Sequence, residues 1–148
     1  MKRRIVLSAL MLIITATLSL ANKGGVINDK VLTSFKKEFA GAKEVNWETT
    51  SLFVKASFTW NEQVYTAYYN VDGDRLAIVR NLRSVDLPMS LREELKESYS
   101  NYWISDLFEI HGKEESAYYV TIEDADRKIT LKSVGINEWI TFKKEDKK

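Results

Sequence analysis

Between Phe53 and Val79 the sequence has room for little except an antiparallel meander. Three runs rich in aromatic and β-branched residues, Phe53–Trp60, Val64–Val71 and Leu76–Val79, are separated by Asn61-Glu62-Gln63 and Asp72-Gly73-Asp74. In the first run Leu52, Val54, Ala56, Phe58 and Trp60 alternate with Phe53, Lys55, Ser57 and Thr59, giving one apolar and one mixed face. That is the pattern of a sheet whose one side packs against helices. In the second run Tyr65, Ala67, Tyr69 and Val71 alternate with Val64, Thr66, Tyr68 and Asn70, so both faces carry a tyrosine.

Upstream, Asn28 is placed to cap a helix running to about Ala40, with Val31, Leu32, Phe35 and Phe39 at helical spacing and Gly41 to end it. Ala42–Glu48 reads as a short extended segment. Downstream, Asn81–Pro88 is a connector holding the single proline. A second helix follows, marked by Leu91, Leu95 and Tyr99. It starts either at Ser90, which has capping-box spacing to Glu93, or nearer Pro88 with Asp86 as its cap. Four more strands are expected over Trp103–His111, Ala117–Glu123, Lys128–Val134 and Asn137–Phe142. Phe35, Phe39, Phe58, Tyr99 and Phe142 are the expected aromatic core.

Met1–Ala21 has the three parts of a cleaved secretory signal peptide: Lys2, Arg3 and Arg4, an apolar-rich Ile5–Leu20, and small residues Ser19 and Ala21 before the cut. The expected organisation is therefore a signal peptide over 1–21, a flexible start over 22–27, one domain over 28–143 and a charged tail over 144–148. The 22 basic and 21 acidic residues give a net charge of +1. Without the leader's three cations the remainder stands at about −2, so no field recruits nucleic acid, and no membrane contact is expected after cleavage. The chain has no cysteine, which excludes disulfides, thiol nucleophiles, zinc–thiolate sites and a lipoprotein anchor. The expected location is the periplasm or the medium.

Helix, extended segment and strands occur twice in the same order, once over about 28–80 and again over about 88–143. The expected fold is α+β: two tandem helix-plus-meander repeats forming one curved antiparallel sheet with two helices on one face. The signal peptide, the first helix, Val45-Asn46-Trp47, the Tyr65–Val71 strand ending in Asp72-Gly73, and Asp86-Leu87-Pro88 before a second helix and meander resemble the PepSY-like family. These are small exported bacterial proteins also described as β-lactamase-inhibitor-protein-like. The second half departs from the pattern, since Trp103-Ile104 only loosely takes the place of Val-x-Trp. The resemblance implies a non-enzymatic binding role, with inhibition of a hydrolase among the roles it allows.

Catalytic constellations are scarce. His111 is the only histidine, so any Ser-His-Asp relay must pass through it; its place before Gly112 suits an ordinary turn residue. Asp72-Gly73-Asp74 and Asp124-Ala125-Asp126 lack the spaced ligands of a calcium loop and read as turns. No cofactor, metal or catalytic residue is assigned. Four tryptophans, seven tyrosines and six phenylalanines are more than a small core needs. Because Tyr68/Tyr69 and Tyr118/Tyr119 are adjacent on strands, one of each pair faces the open side of the sheet. The expected partner surface there comprises Trp60, Tyr68 and Tyr119, rimmed by Lys55, Thr66 and Thr121, and its partner is a protein or peptide. The alternative is an envelope carrier of a small molecule or metal ion that uses the sheet as a cup.

Overall fold

The computed structural model describes residues 26–113 and 115–148. The leader expected over Met1–Ala21 lies outside the described residues. The described chain contains helix α1 (Asp29–Glu38), strands β1 (Lys43–Thr49), β2 (Val54–Trp60), β3 (Gln63–Tyr69) and β4 (Arg75–Asn81), a 3₁₀ turn at Ser84–Asp86, helix α2 (Met89–Ser98), and strands β5 (Trp103–Gly112), β6 (Ser116–Glu123), β7 (Arg127–Val134) and β8 (Glu138–Asp146). The strands form one eight-stranded sheet in sequence order, antiparallel in every pair whose register is given below. The α+β fold of two helix-plus-meander repeats is thus the one expected. The described chain divides into two compact units, with the boundary inside β4, after Ile78; the first unit also takes in Gly112, Lys113 and Glu115.

In the first unit, α1 starts as anticipated: Asn28 Oδ1 accepts the Lys30 N–H at 2.9 Å. The Asn28 amide also donates to Val71 O at 3.0 Å, tying the helix start to the β3–β4 turn. That turn needs Gly73, whose φ is +87° and whose missing Cβ would lie 2.8 Å from Lys30 O. The helix ends at Glu38, with Gly41 at φ +82° just beyond. Asn61 and Glu62 both have positive φ, and Trp60 pairs with Gln63, so the β2–β3 connection is a two-residue hairpin. Val31, Phe35 and Phe39 pack on Val54, Ala56, Phe58, Ala67 and Tyr69, with Trp47, Trp60 and Tyr65 half-buried around them. Phe58 is the hub, 4.9 Å from Phe35 and 4.7 Å from Phe39. Leu52 is not part of this face. β2 begins at Val54, and Thr50 Oγ1 accepts the Leu52 and Phe53 N–H groups, turning Leu52 out to solvent.

In the second unit the N-cap of α2 is Pro88, with no side-chain cap. The start beside Pro88 is one of the two sequence readings, but neither of the caps they named, Ser90 or Asp86, is made. Asp86 receives the Arg83 guanidinium, at 3.0 and 3.1 Å, instead of capping α2. Ser90 lies inside the helix, and its hydroxyl donates to Ile136 O at 2.6 Å. This long-range bond ties α2 to the β7–β8 turn, the same kind of tether that Asn28 makes in the first unit. Leu91 and Leu95 pack on Leu107, Val120, Ile122, Ile129, Leu131 and Trp139, whose indole N–H donates to Leu91 O at 2.8 Å. Tyr99 is only half-buried beside this cluster, and half-buried Phe142 packs elsewhere, against Tyr119. The charged end is no free tail: β8 continues to Asp146, and the Lys147 ammonium reaches Glu123 at 2.7 Å and lies 4.6 Å from the Trp103 ring centroid.

Candidate binding surface

In each unit the helix covers one face of the strands, and the alternation of the strands sends a second set of side chains the other way. In the first unit this helix-free face carries Phe53 just before β2, Lys55, Ser57 and Thr59 on β2, and Val64, Thr66 and Tyr68 on β3. Register pairs Lys55 with Tyr68 and Ser57 with Thr66. Lys55 Nζ meets Glu48 Oε2 at 3.1 Å, Ser57 Oγ and Thr66 Oγ1 are 3.4 Å apart, and Tyr68 lies edge-on to Phe53 at 5.4 Å. The Tyr68 hydroxyl is pushed up to about 12, first by burial and then by the Glu48 charge, so it remains a neutral phenol.

The second unit repeats the array with its members exchanged. Here register pairs Tyr119 with Lys132 and Thr121 with Thr130. The Lys132 ammonium stands 6.0 Å from the Tyr119 ring centroid, and the two threonine hydroxyls are 3.2 Å apart. Tyr119 stacks on Phe108 at 5.5 Å and meets Phe142 edge-on at 5.6 Å. A cross-strand Lys–Tyr pair beside a hydroxyl pair therefore recurs at matching register, with the tyrosine on β3 in one unit and on β6 in the other.

The structure corrects the expected surface in two respects. Tyr68 and Tyr119 face away from the helices as anticipated, yet they are 3% and 1% exposed, and Thr121 is buried too. They pack against neighbouring rings on their own face rather than projecting from it. Trp60 points to the opposite side, where it packs on Phe39 at 5.5 Å and donates its indole N–H to Ala40 O at 3.1 Å. Its place in the alternation with Val54, Ala56 and Phe58 carried that information. Lys55 and Thr66 keep partial exposure, as do Thr130 and Lys132.

His111 turns out to be more than a turn residue. Its Nδ1 is 2.7 Å from Ser116 Oγ, and its Nε2 is 3.0 Å from Glu109 Oε1. Glu109 is 6% exposed and also takes the Arg80 guanidinium at 2.7 Å. Tyr118 donates to the same carboxylate, and burial is the chief reason its own hydroxyl pKa is raised. The Ser–His–Glu chain resembles a relay in composition, but His111 and Ser116 are directly opposed across a hairpin. None of the grooves described here is lined by these residues. The arrangement is that of a buried carboxylate satisfied by three partners. Asp124 likewise accepts the Asp126 and Arg127 N–H groups at 2.9 and 2.6 Å, the geometry of a turn. Among the described residues no three metal-ligating side chains gather, and no helix is long and apolar enough to cross a membrane.

On the helix side, each unit has a groove beside the C-terminal half of its helix. In the first it is about 270 Å³, between Phe35, Phe39 and Trp47. In the second it is about 550 Å³, over Leu95, Tyr99, Ile104 and Ile122.

No family model matches the sequence, and no curated protein matches it. Solved structures do. A BLIP-like protein from Bacteroides fragilis superposes with a TM-score of 0.72 at 18% identity, covering 83% of this chain and 89% of that one. The fold is BLIP-like. A DUF2874 family protein from Bacteroides ovatus gives 0.72 at 19%, covering 83% and 89%. A protein from Bacteroides eggerthii, described only provisionally as periplasmic, gives 0.72 at 12%, covering 82% and 90%. The structural neighbours thus bear out the BLIP-like architecture expected from the sequence.

Proposed function

We propose that this chain is an exported, non-enzymatic binding protein of the PepSY-like type that engages a protein or peptide through the helix-free faces of its strands. The observation that carries this reading is the recurrence, at matching register in both units, of a Lys–Tyr pair beside a hydroxyl pair. Core packing does not require such a pattern on a face that no helix covers. In this reading Lys55, Thr66, Thr130 and Lys132 touch the partner. Tyr68, Tyr119 and Thr121 hold those side chains in place from below, as rigid supports whose rotamers are fixed by burial. Trp60, on the other side, takes no part. The BLIP-like fold and the provisionally periplasmic neighbour support the class and the location.

The test is affinity capture from a native envelope fraction, with the mature chain as bait. Lys55→Met combined with Thr66→Val should abolish capture of a saturable partner while circular dichroism shows the fold retained, and Lys36→Gln on α1 should capture normally. Retention of the partner by the double variant would overturn the assignment of this face. Sustained turnover by purified protein on a hydrolase panel, lost on Ser116→Ala, would overturn the non-enzymatic reading.

A further inference from the structure

We infer that the larger groove, beside α2, is a binding site for a free, single-chain aliphatic carboxylate. Its volume of about 550 Å³ lies within the range of small-ligand pockets. Its floor is apolar: Leu95, Tyr99, Ile104 and Ile122, of which Ile104 is 42% exposed to water in the free chain. Burying such a floor under an alkyl chain is favourable in proportion to the area covered.

Two cations, Arg92 and Lys96, line the same groove. They are four residues apart on α2 and so lie on one face of it, where like charges repel. Among the described residues no carboxylate pairs with either. Lys96, in the last turn, suits the negative end of the helix dipole. Arg92, a turn earlier, has no such account. An anionic head between them would relieve the repulsion and accept a two-pronged guanidinium bond.

The first unit shows that the fold does not demand this arrangement. A constant offset matches Val31 with Leu91, Phe35 with Leu95, Lys36 with Lys96 and Phe39 with Tyr99, and it matches Arg92 with Leu32. Strand register matches Ile122 with Phe58. The first unit therefore has one cation where the second has two, and phenylalanines where the second has leucine and isoleucine. Its groove is half the size. The hydroxyl of Tyr102, also at the groove, is committed to Asp124, which leaves Ser84, Ser100 and the Tyr99 hydroxyl as the uncharged polar side chains around it.

This site is on the helix side of the second unit and is independent of partner capture by the helix-free faces. Isothermal titration of the full mature chain with sodium dodecanoate below its micelle concentration should give a saturable single site. Dodecanol, with the same tail and no charge, should bind at least tenfold more weakly. Arg92→Gln with Lys96→Gln should weaken dodecanoate binding at least tenfold at unchanged Tm, whereas Lys36→Gln should have no effect. Equal affinity for dodecanol, unchanged binding by the double variant, unsaturable uptake, or association only with phosphatidylglycerol vesicles would each overturn the inference.

Discussion

The two units use one plan with different fillings. In the first, the space between helix and strands is taken by rings: Phe35 meets Trp47 at 5.0 Å and Phe58 at 4.9 Å, and Phe39 reaches Trp60. In the second, the matching positions are Leu95, Leu107, Ile122 and Asp124, and only Tyr99, in the place of Phe39, keeps a ring. Aliphatic side chains close the centre of that core but leave its rim open, and the groove follows from the missing volume. The corner closed by the Trp60 indole in the first unit is closed by charge in the second, through Glu123, Asp124, Arg127 and Lys147. Repeating an architecture thus does not repeat its chemistry. The side chains at the helix end decide whether a unit is sealed or can take a ligand.

Removing the hub from each unit tests that contrast most severely. Phe58→Ala should cost about 4 kcal/mol in urea unfolding, and Ile122→Ala, a smaller buried side chain beside the groove, about 2 kcal/mol. Equal losses would break the distinction between a filled and an unfilled core. The turn glycines give a smaller, sharper comparison. Gly73→Ala must accommodate both a positive φ and a Cβ at 2.8 Å from Lys30 O, whereas the space around Gly135 is empty within 4 Å. The expected losses are about 3 kcal/mol and about 1 kcal/mol, the latter for the left-handed conformation alone. Equal values would mean that α1 yields to the turn.

The smallest effect is a matter of pH. Lys147 and Ser105 bonded to Glu123 hold its carboxyl down at about 2 in the folded chain, against an ordinary value of 4.5. A depressed carboxyl contributes stability that is complete above the unfolded value and lost as pH falls through the folded one. Lys147→Met should therefore lower Tm slightly at neutral pH and lose its effect between about pH 4.5 and 2. Trp60→Phe, at the matching corner, should show a deficit that does not change across the same range. A deficit in Lys147→Met that persists at pH 2 would remove the charge account of that corner.

Much of this was legible in the residues, for reasons that can be named. Asn28, Gly41 and the alternation along β2 and β3 act locally, and local signals survive into the fold. What escaped was non-local. Ser90 has the spacing of a cap, but a carbonyl far along the chain, at Ile136, claims its hydroxyl. The charged run at Lys143–Lys147 looks like solvated chain until β7 pairs with it, from Arg127 opposite Asp146 to Thr130 opposite Lys143. Strand alternation sends one tyrosine of each adjacent pair away from the helices, but it cannot report that the ring will be covered there, as Tyr68 and Tyr119 are. The groove needed the two halves laid against each other, position by position, because it consists of a difference in side-chain volume.

Every strand in the sheet lies beside the strand that precedes it in the chain. No pairing has to wait for a distant segment, and contact order is low for so β-rich a chain, which favours rapid formation. A polypeptide delivered amino end first could lay each hairpin on the last. The bonds that reach across a whole repeat include the two tethers, Asn28 to Val71 and Ser90 to Ile136, and the Trp139 indole to Leu91. Each would close when its own last turn arrives, so completion of a unit is signalled by the docking of its helix.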